Sequence, residues 1–497
     1  MAGIEPDRAA AMNMRNPLPA AAGPPPLELA DALVALGPPN DRPPLSPQIS
    51  SGSRRGARRA EKHEPVDWQL VVQLRRQASE IIAENSQHWS TEHGHTMSGE
   101  DRRMMGRSVI GTLVRDYAGN LSQSGDQLWE LSTEHAYAQA VENAIFGYGR
   151  LQPLFEIPTA ENVEIHGWES VVVQHSDGHR EDLAPVADSD AELVEAIRFL
   201  GSSAGPARAF DDAHPTMTLA LGDRFRLHAI GFGLSYRPSV VIRQHLLTDV
   251  TLGQLADTGM MPGEVADFLD ASVLARKSMV ISGDQGAGKT TLLRALVASV
   301  PESERIGTLE TDYELLTHLL PGRRNMLALQ AKTGLGEYHD GRNVGEYTIA
   351  DLIPEALRQN LSRLIVGEVR GGEAGAMFEA MQAGAGTMST THSHSAASTM
   401  DRLAARVAQG GVLGVNEAYR QIALNLHLLI HVTLTDDTWR GGVRKRFISE
   451  IRELIGAVEN DRPVTHLAYQ ADAQGHPLRW QPSAELLAEL RGFRRRP

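Results

Sequence analysis

The stretch GDQGAGKTT, Gly283 to Thr291, decides how this chain is read. Gly283, Gly288, Lys289 and Thr290 stand at the spacing G-x-x-x-x-G-K-[ST]. Glycines at this spacing let backbone N–H groups curl around phosphate oxygens. The lysine adds positive charge toward the outer phosphates, and the threonine hydroxyl can ligate Mg²⁺. The helix that follows offers its positive N-terminal end. Apolar residues Met279 to Ser282 lead into the loop as a strand, and TTLLRALVASV leaves it as a helix. Gly283, Gly286, Gly288, Lys289, Thr290 and Thr291 are therefore the expected binding set for a nucleoside triphosphate with Mg²⁺.

Downstream, strands and helices alternate: RIGTLET, DLIPEALRQNL, RLIVGEV and GGEAGAMFEAMQAG. That alternation predicts an α/β fold, a mostly parallel sheet with helices on its faces. In RLIVGEV the apolar run Leu364-Ile365-Val366 predicts a buried strand. Glu368 emerges at its carboxyl end beside the loop, where phosphoryl chemistry needs a metal-side acid. Thr290 and Glu368 are the expected metal-side pair.

Upstream, NVEIHGWESVVVQHSDG reads as strand, turn, strand. DAELVEAIRFLGSSAG reads as a helix, and RFRLHAIGF and PSVVIRQH read as strands. This predicts a smaller α+β domain at 146–250, followed by a linker at 251–265. Val71, Leu74, Ala78, Ile81 and Ile82 recur at helical spacing, so 65–145 is read as a helical lead-in. The Pro/Ala-rich residues 1–64 cannot bury a core and are expected to be disordered, with one apolar island, LELADALVAL. The P-loop domain is set at 266–455 and a C-terminal extension with a basic tail at 456–497.

Composition narrows the function classes. The 497 residues are 41% hydrophobic and 22% charged, without cysteine, which excludes disulfides and thiolate metal sites. A formal net charge of −14 argues against nucleic acid as the main ligand. Basic runs at Ser53–Lys62 and Arg491–Pro497 suit solvated tails or peripheral contact with anionic lipid. No charged start leads into an apolar run and no apolar run nears ~20 residues, so a cytoplasmic location is expected.

Five segments in order then carry a resemblance: FGYGRLQPLFEIPTAENVEIHG, GDQGAGKTTLLRAL, LETDYELLTH, RLIVGEVRGGEA and GTMSTTHSHSA. Together, from about Phe146 to Leu454, they resemble the secretion-superfamily ATPases of type II secretion, type IV pilus and type IV secretion machines. The CpaF-like ATPases of Tad/Flp pilus systems are the branch they look most like. The resemblance implies a RecA-like domain that binds ATP and Mg²⁺. It implies that Glu314 orients the attacking water, with Glu310 and Asp312 as neighbours. By the same resemblance Glu368 is the Walker B glutamate and His392 the His-box residue, with His394 incidental. Arg226 and Arg243 match arginines that reach the nucleotide across an interdomain cleft; Arg370 follows the Walker B strand, and Arg224 and Arg358 are weaker candidates. Thr311 stands where the family's Asp box commonly carries a second acid. Family members are typically homohexamers acting on inner-membrane platform proteins from the cytoplasmic face. A conjugative or effector traffic ATPase, and a nucleotide-gated scaffold with little turnover, are the alternatives.

Overall fold

A computed structural model describes residues 66–493, apart from 125–127, 204–207, 321, 333, 335–337, 340–341, 372, 383, 385 and 412. Every described residue lies in one compact unit, His63–Pro497. The expected disordered stretch 1–64, with its apolar island and first basic run, falls outside the described residues. So do the last four positions of the C-terminal basic run.

Three helices open the described chain: α1 (Trp68–His93), α2 (Gly99–Ser124) and α3 (Leu131–Phe146). Asp67 caps α1, its carboxylate accepting from the Gln69 N–H at 2.8 Å. Leu70, Val71, Leu74, Ala78 and Ile82 form one buried stripe against Ile110 and Val114 of α2 and Tyr137 and Val141 of α3. The sequence reading leaves α2 unassigned. Its glycines and its many polar residues blur the apolar period there.

After the short helix α4 (Gln152–Phe155) come β1 (Ala160–His166), β2 (Ser170–His175), β3 (Arg180–Leu183), helix α5 (Asp190–Ser203), β4 (Thr216–Leu221), β5 (Phe225–Ile230) and β6 (Ser239–Gln244). They form a six-stranded sheet in the order β3-β2-β1-β6-β5-β4. Neighbouring strands are antiparallel throughout. Strand alternation sends Val163, Ile165, Leu227, Ala229, Val240 and Ile242 into one core with Leu193, Ile197 and Leu200 of α5. Arg226 and Arg243 are out of phase with that set. They are direct cross-strand partners on the opposite face.

The rest builds a nine-stranded sheet. Its elements are α6 (Leu252–Asp257), α7 (Gly263–Leu274), β7 (Met279–Gly283), α8 (Lys289–Ala298), β8 (Ile306–Glu310) and β9 (Met326–Gln330). A small hairpin, β10 (Tyr338–His339) with β11 (Arg342–Asn343), stands apart from the sheet. Then follow α9 (Ile349–Leu357), β12 (Arg363–Val366), α10 (Glu373–Gln382), β13 (Met388–His392), α11 (Ala396–Gln409), α12 (Val415–Asn425), β14 (Leu428–Asp436), β15 (Arg444–Glu459), β16 (Arg462–Ala471), β17 (Pro477–Trp480) and α13 (Ala484–Leu490). Strand order is β17-β16-β15-β14-β7-β13-β12-β8-β9. The six strands from β14 to β9 are parallel, and β14 to β17 run antiparallel. The fold class is the expected α/β, with a smaller α+β body and a helical lead-in.

Two segments differ from their expected roles. The stretch read as a linker opens with a capping box between Thr251 and Gln254, and it buries Leu252, Leu255, Met260 and Met261 in the same core as β7 and α8. It is part of this body. Position 455, expected as a domain end, lies inside β15, and the sheet runs on to Trp480. A parallel sheet gathers its working residues at the carboxyl ends of its strands. Here Gly283, His392 and Glu310 end β7, β13 and β8, and Glu368 follows β12 by two residues.

Candidate functional site

β7 is buried along its whole length, as a central parallel strand must be. At its end Gly283 has φ 152°, and a Cβ there would collide with the Val432 carbonyl oxygen. Gly288 stands at φ 95°, in the left-handed region, and starts α8. These conformations open the loop and aim the first N–H groups of α8 at its hollow. Lys289 folds back over the loop. Its Nζ donates to the carbonyls of Gly283 (3.1 Å) and Asp284 (2.8 Å), and to His392 Nδ1 (3.2 Å). Burial pulls its pKa down to about 8, against the pull of Glu368 and Asp284, and Arg243 adds to the lowering.

Since Nδ1 of His392 accepts from Lys289, the ring proton sits on Nε2. Nε2 stands 3.1 Å from Glu368 Oε1, within ion-pair range but not aligned as a hydrogen bond. That oxygen is buried without a hydrogen-bond partner. The other oxygen, Oε2, accepts from Arg370 Nη2 at 2.7 Å. Burial alone would raise the Glu368 pKa; His392 and Arg370 outweigh it and hold the carboxyl at about 2. Glu310 is 3% exposed. Its Oε1 accepts from the N–H groups of Glu314 (2.9 Å) and Leu315 (2.7 Å), and its Oε2 has no partner. Burial lifts this carboxyl to about 7, even against those two donors.

Arg226 reaches from β5 to the loop after β8. It donates to Glu314 Oε1, and to Asp312 Oδ2 at 2.7 Å. Arg226, Thr290, Glu310, Asp312, Glu314, Glu368 and Arg370 thus surround one cavity of about 30 Å³, together with Thr311 and Gly367. A larger groove of about 830 Å³, between α6, α7 and Trp480, is lined by the carboxylates of Asp257, Glu264, Asp267 and Asp270 and by no residue of the phosphate loop. Arg243 is half-buried beside Arg226 and makes no side-chain hydrogen bond or ion pair among the described residues, yet its charge is felt at Lys289 and Arg294. Like charges directly opposite on a sheet repel each other.

Other expected residues stand apart from the cavity. Thr291 is half-buried on α8 and does not line it. His394 pairs with Asp284 of the loop at 2.9 Å on the open surface. Arg224 lies over the Phe225 ring, and Arg358 pairs with exposed Glu355 on α9. Sequence reasoning missed three contributors. Arg294 of α8 is buried against the loop that carries Glu314. Arg446 donates to the Gly286 carbonyl at 2.7 Å and to both oxygens of Glu161 at 2.8 Å. The legible signal for Arg294 was a charge inside the otherwise apolar run LLRALV; Glu161 and Arg446 had none.

Over residues 173–438, more than half of its length, the chain matches the type II/IV secretion system proteins. A protein of Mycobacterium tuberculosis (strain CDC 1551 / Oshkosh), named for conjugal transfer, is 30% identical over 344 residues, covering 66% of this chain and 91% of its own. This chain belongs to the type II/IV secretion system protein family. The family match runs from β2 to just beyond β14 and so spans the phosphate loop and both arginine strands. The type IV secretion system protein PtlH of Bordetella pertussis is 36% identical over 138 residues, 28% of this chain and 38% of PtlH. Among solved structures, the VirB11 ATPase from the Brucella suis type IV secretion system, in complex with sulphate, aligns at 23% identity. That alignment covers 62% of this chain and 96% of the other, with a TM-score of 0.33. Among the described residues of this secretion-family chain, no helix is long and apolar enough to cross a membrane.

Proposed function

We propose that the chain is an ATP-hydrolysing motor whose nucleotide lies between the phosphate loop and the arginine face of the six-stranded sheet. One observation carries this: acids from two strand ends, Thr290 and Arg226 close around a single cavity beside Lys289. In this reading the backbone from Gly283 through Gly286 and Gly288, with Lys289, Thr290 and Thr291, binds the triphosphate. Thr290, and Glu368 through water, would hold Mg²⁺, which when bound neutralises charge on the phosphate oxygens. The fit is supported by Glu368 Oε1 and Glu310 Oε2, two buried acceptors without hydrogen-bond partners. Glu314 orients the attacking water. Arg226 and Arg243, unfavourable neighbours on their own, stabilise charge on the transferring phosphoryl group. His392 links Lys289 to Glu368 and senses the γ-phosphate.

The same reading divides the chain into a helical region at 65–145, an α+β domain at 146–250 and a RecA-like domain that takes in the stretch from 251 onward. A homohexameric ring, bound peripherally to the cytoplasmic membrane face, would turn domain closure into work on inner-membrane platform proteins of a Tad/Flp-type pilus. Family membership and the ordered motifs support a secretion-type machine. A second reading, a conjugative traffic ATPase, is favoured by the name of the mycobacterial relative. In the source organism, Lys289→Ala should abolish the output of the machine; retained pili and retained transfer would sink the motor reading. Loss of surface pili selects the first role, and loss of DNA or effector transfer selects the second.

A further inference from the structure

Arg294 is a buried cation that the proposed chemistry does not use. It lies on α8 four residues after Thr290, one turn along the same face. The residue is 3% exposed. Its guanidinium spends its donors on backbone carbonyls of two other segments. Nη2 donates to Glu314, Nε to Leu315 at 3.2 Å, and Nη1 to Leu247 at 2.8 Å. Among the described residues no carboxylate is in ion-pair contact with it. Glu310 and Glu314 act on it only through their charge. Burial pulls its pKa down to about 10, the mark of a cation kept at a cost.

A core filler at this place would be a leucine or methionine, which packs without that cost. What an arginine adds is a rigid planar fork with donors in fixed directions. The three carbonyls it fixes belong to the parts that must agree for hydrolysis. Glu314 and Leu315 lie on the loop after β8. Leu247 lies just beyond β6, the strand that carries Arg243. The fork itself stands on the helix that begins at Lys289.

We propose that Arg294 is a positioning residue that ties the Glu314 loop, and the chain just beyond the Arg243 strand, to the phosphate-loop helix; this rests on the ATPase reading above. Binding of the phosphates needs only the loop and Lys289. Orientation of the water needs the tie.

The test compares Arg294→Gln and Arg294→Lys with the unmutated full chain, measuring ATP hydrolysis and the Kd of a fluorescent ATP analogue with Mg²⁺. Misplacing reacting groups by an ångström lowers rate by about 10²-fold, and a loss of that order in kcat is expected for Arg294→Gln. Its Kd should stay at the unmutated value, and Arg294→Lys should fall between the two in kcat. Retained analogue binding shows that the site is folded. Should Arg294→Gln fail to fold, the same split is read on Arg294→Lys, which keeps the charge and loses the fork. Unchanged kcat in a folded Arg294→Gln overturns the proposal and leaves the ATPase reading intact. A parallel loss of kcat and affinity also overturns it, reducing Arg294 to a fold-holding residue. Absence of hydrolysis by the unmutated chain overturns both.

Discussion

Two ion-pair contacts join the six-stranded sheet to the nine-stranded one, and they run in opposite directions. At the front, a cation of the six-stranded sheet, Arg226, holds the acids Asp312 and Glu314 of the larger body. At the back, an acid of the six-stranded sheet, Glu161, holds the cations Arg446, at 2.8 Å, and Arg444, at 3.2 Å. The front pair is partly open: its side chains are 28%, 23% and 21% exposed. The back pair is deeper at Arg444, 7% exposed, and at Glu161, 15%, while Arg446 is open to 24% and also donates to the phosphate loop. A polyanion entering the cavity competes with Asp312 and Glu314 for Arg226. It offers nothing to Glu161. On the proposed motor reading, the front contact would exchange partners as nucleotide comes and goes, and the back contact would keep the loop tied to the sheet.

The largest effect should come from the front. Arg243→Ala is expected to lower kcat by about 10³-fold, the lower end of what an arginine finger supplies, while ATP binding changes little. Steady-state hydrolysis beside analogue titration reads both, and equal loss in the two would make Arg243 structural. Lys289→Ala should weaken ATP binding by about 1.5–3 kcal/mol, the worth of charged hydrogen bonds to phosphate. Calorimetric titration with Mg²⁺ and a non-hydrolysable analogue measures it, and undiminished affinity would detach the loop from the site.

The back contact should show itself as stability. Glu161→Gln keeps the shape and removes the charge that Arg444 and Arg446 face. Breaking a fully buried pair costs about 3–5 kcal/mol; the residual exposure here brings the expectation to roughly 1–3. A lowered denaturation midpoint is the expected result, and an unchanged midpoint would deny it the role of a permanent tie. The smallest effect is in pH. Lys289 must be protonated to meet phosphate, and in the free protein it loses its proton near pH 8 because burial lowers its pKa. ATP affinity should be about half its neutral value at pH 8, then fall by up to about tenfold per further unit. Constant affinity to pH 10 would mean an ordinary lysine.

The front was far more legible in the sequence than the back. Gly283 to Thr290 announce themselves because backbone curvature around phosphate admits few residue types. Glu368 follows an apolar run, and strand alternation alone turns Arg226 and Arg243 away from their core. The order of motifs added Glu314 and His392. The strand β13, by contrast, is built of Ser389, Thr390 and Thr391, and no apolar run betrays it. These side chains are buried, and two bond to carbonyls, Thr390 to Gly367 at 2.7 Å and Thr391 to Val369 at 3.0 Å. Glu161 and Arg446 are 285 positions apart. Only the folded register of β1 and β15 joins them, and no local pattern encodes it. The stretch 251–265 looked like a connector because its apolar residues are interrupted by glycine and proline. Its burial depends on the core that α7 and α8 complete.

Single-turnover hydrolysis of ATP with Mg²⁺ by the purified full chain, beside Glu368→Gln, decides whether this site is an engine. The unmutated chain should cleave its bound ATP, and the variant should bind ATP yet leave it intact. No cleavage by the unmutated chain, or equal cleavage by the variant, would contradict the motor built on this cavity.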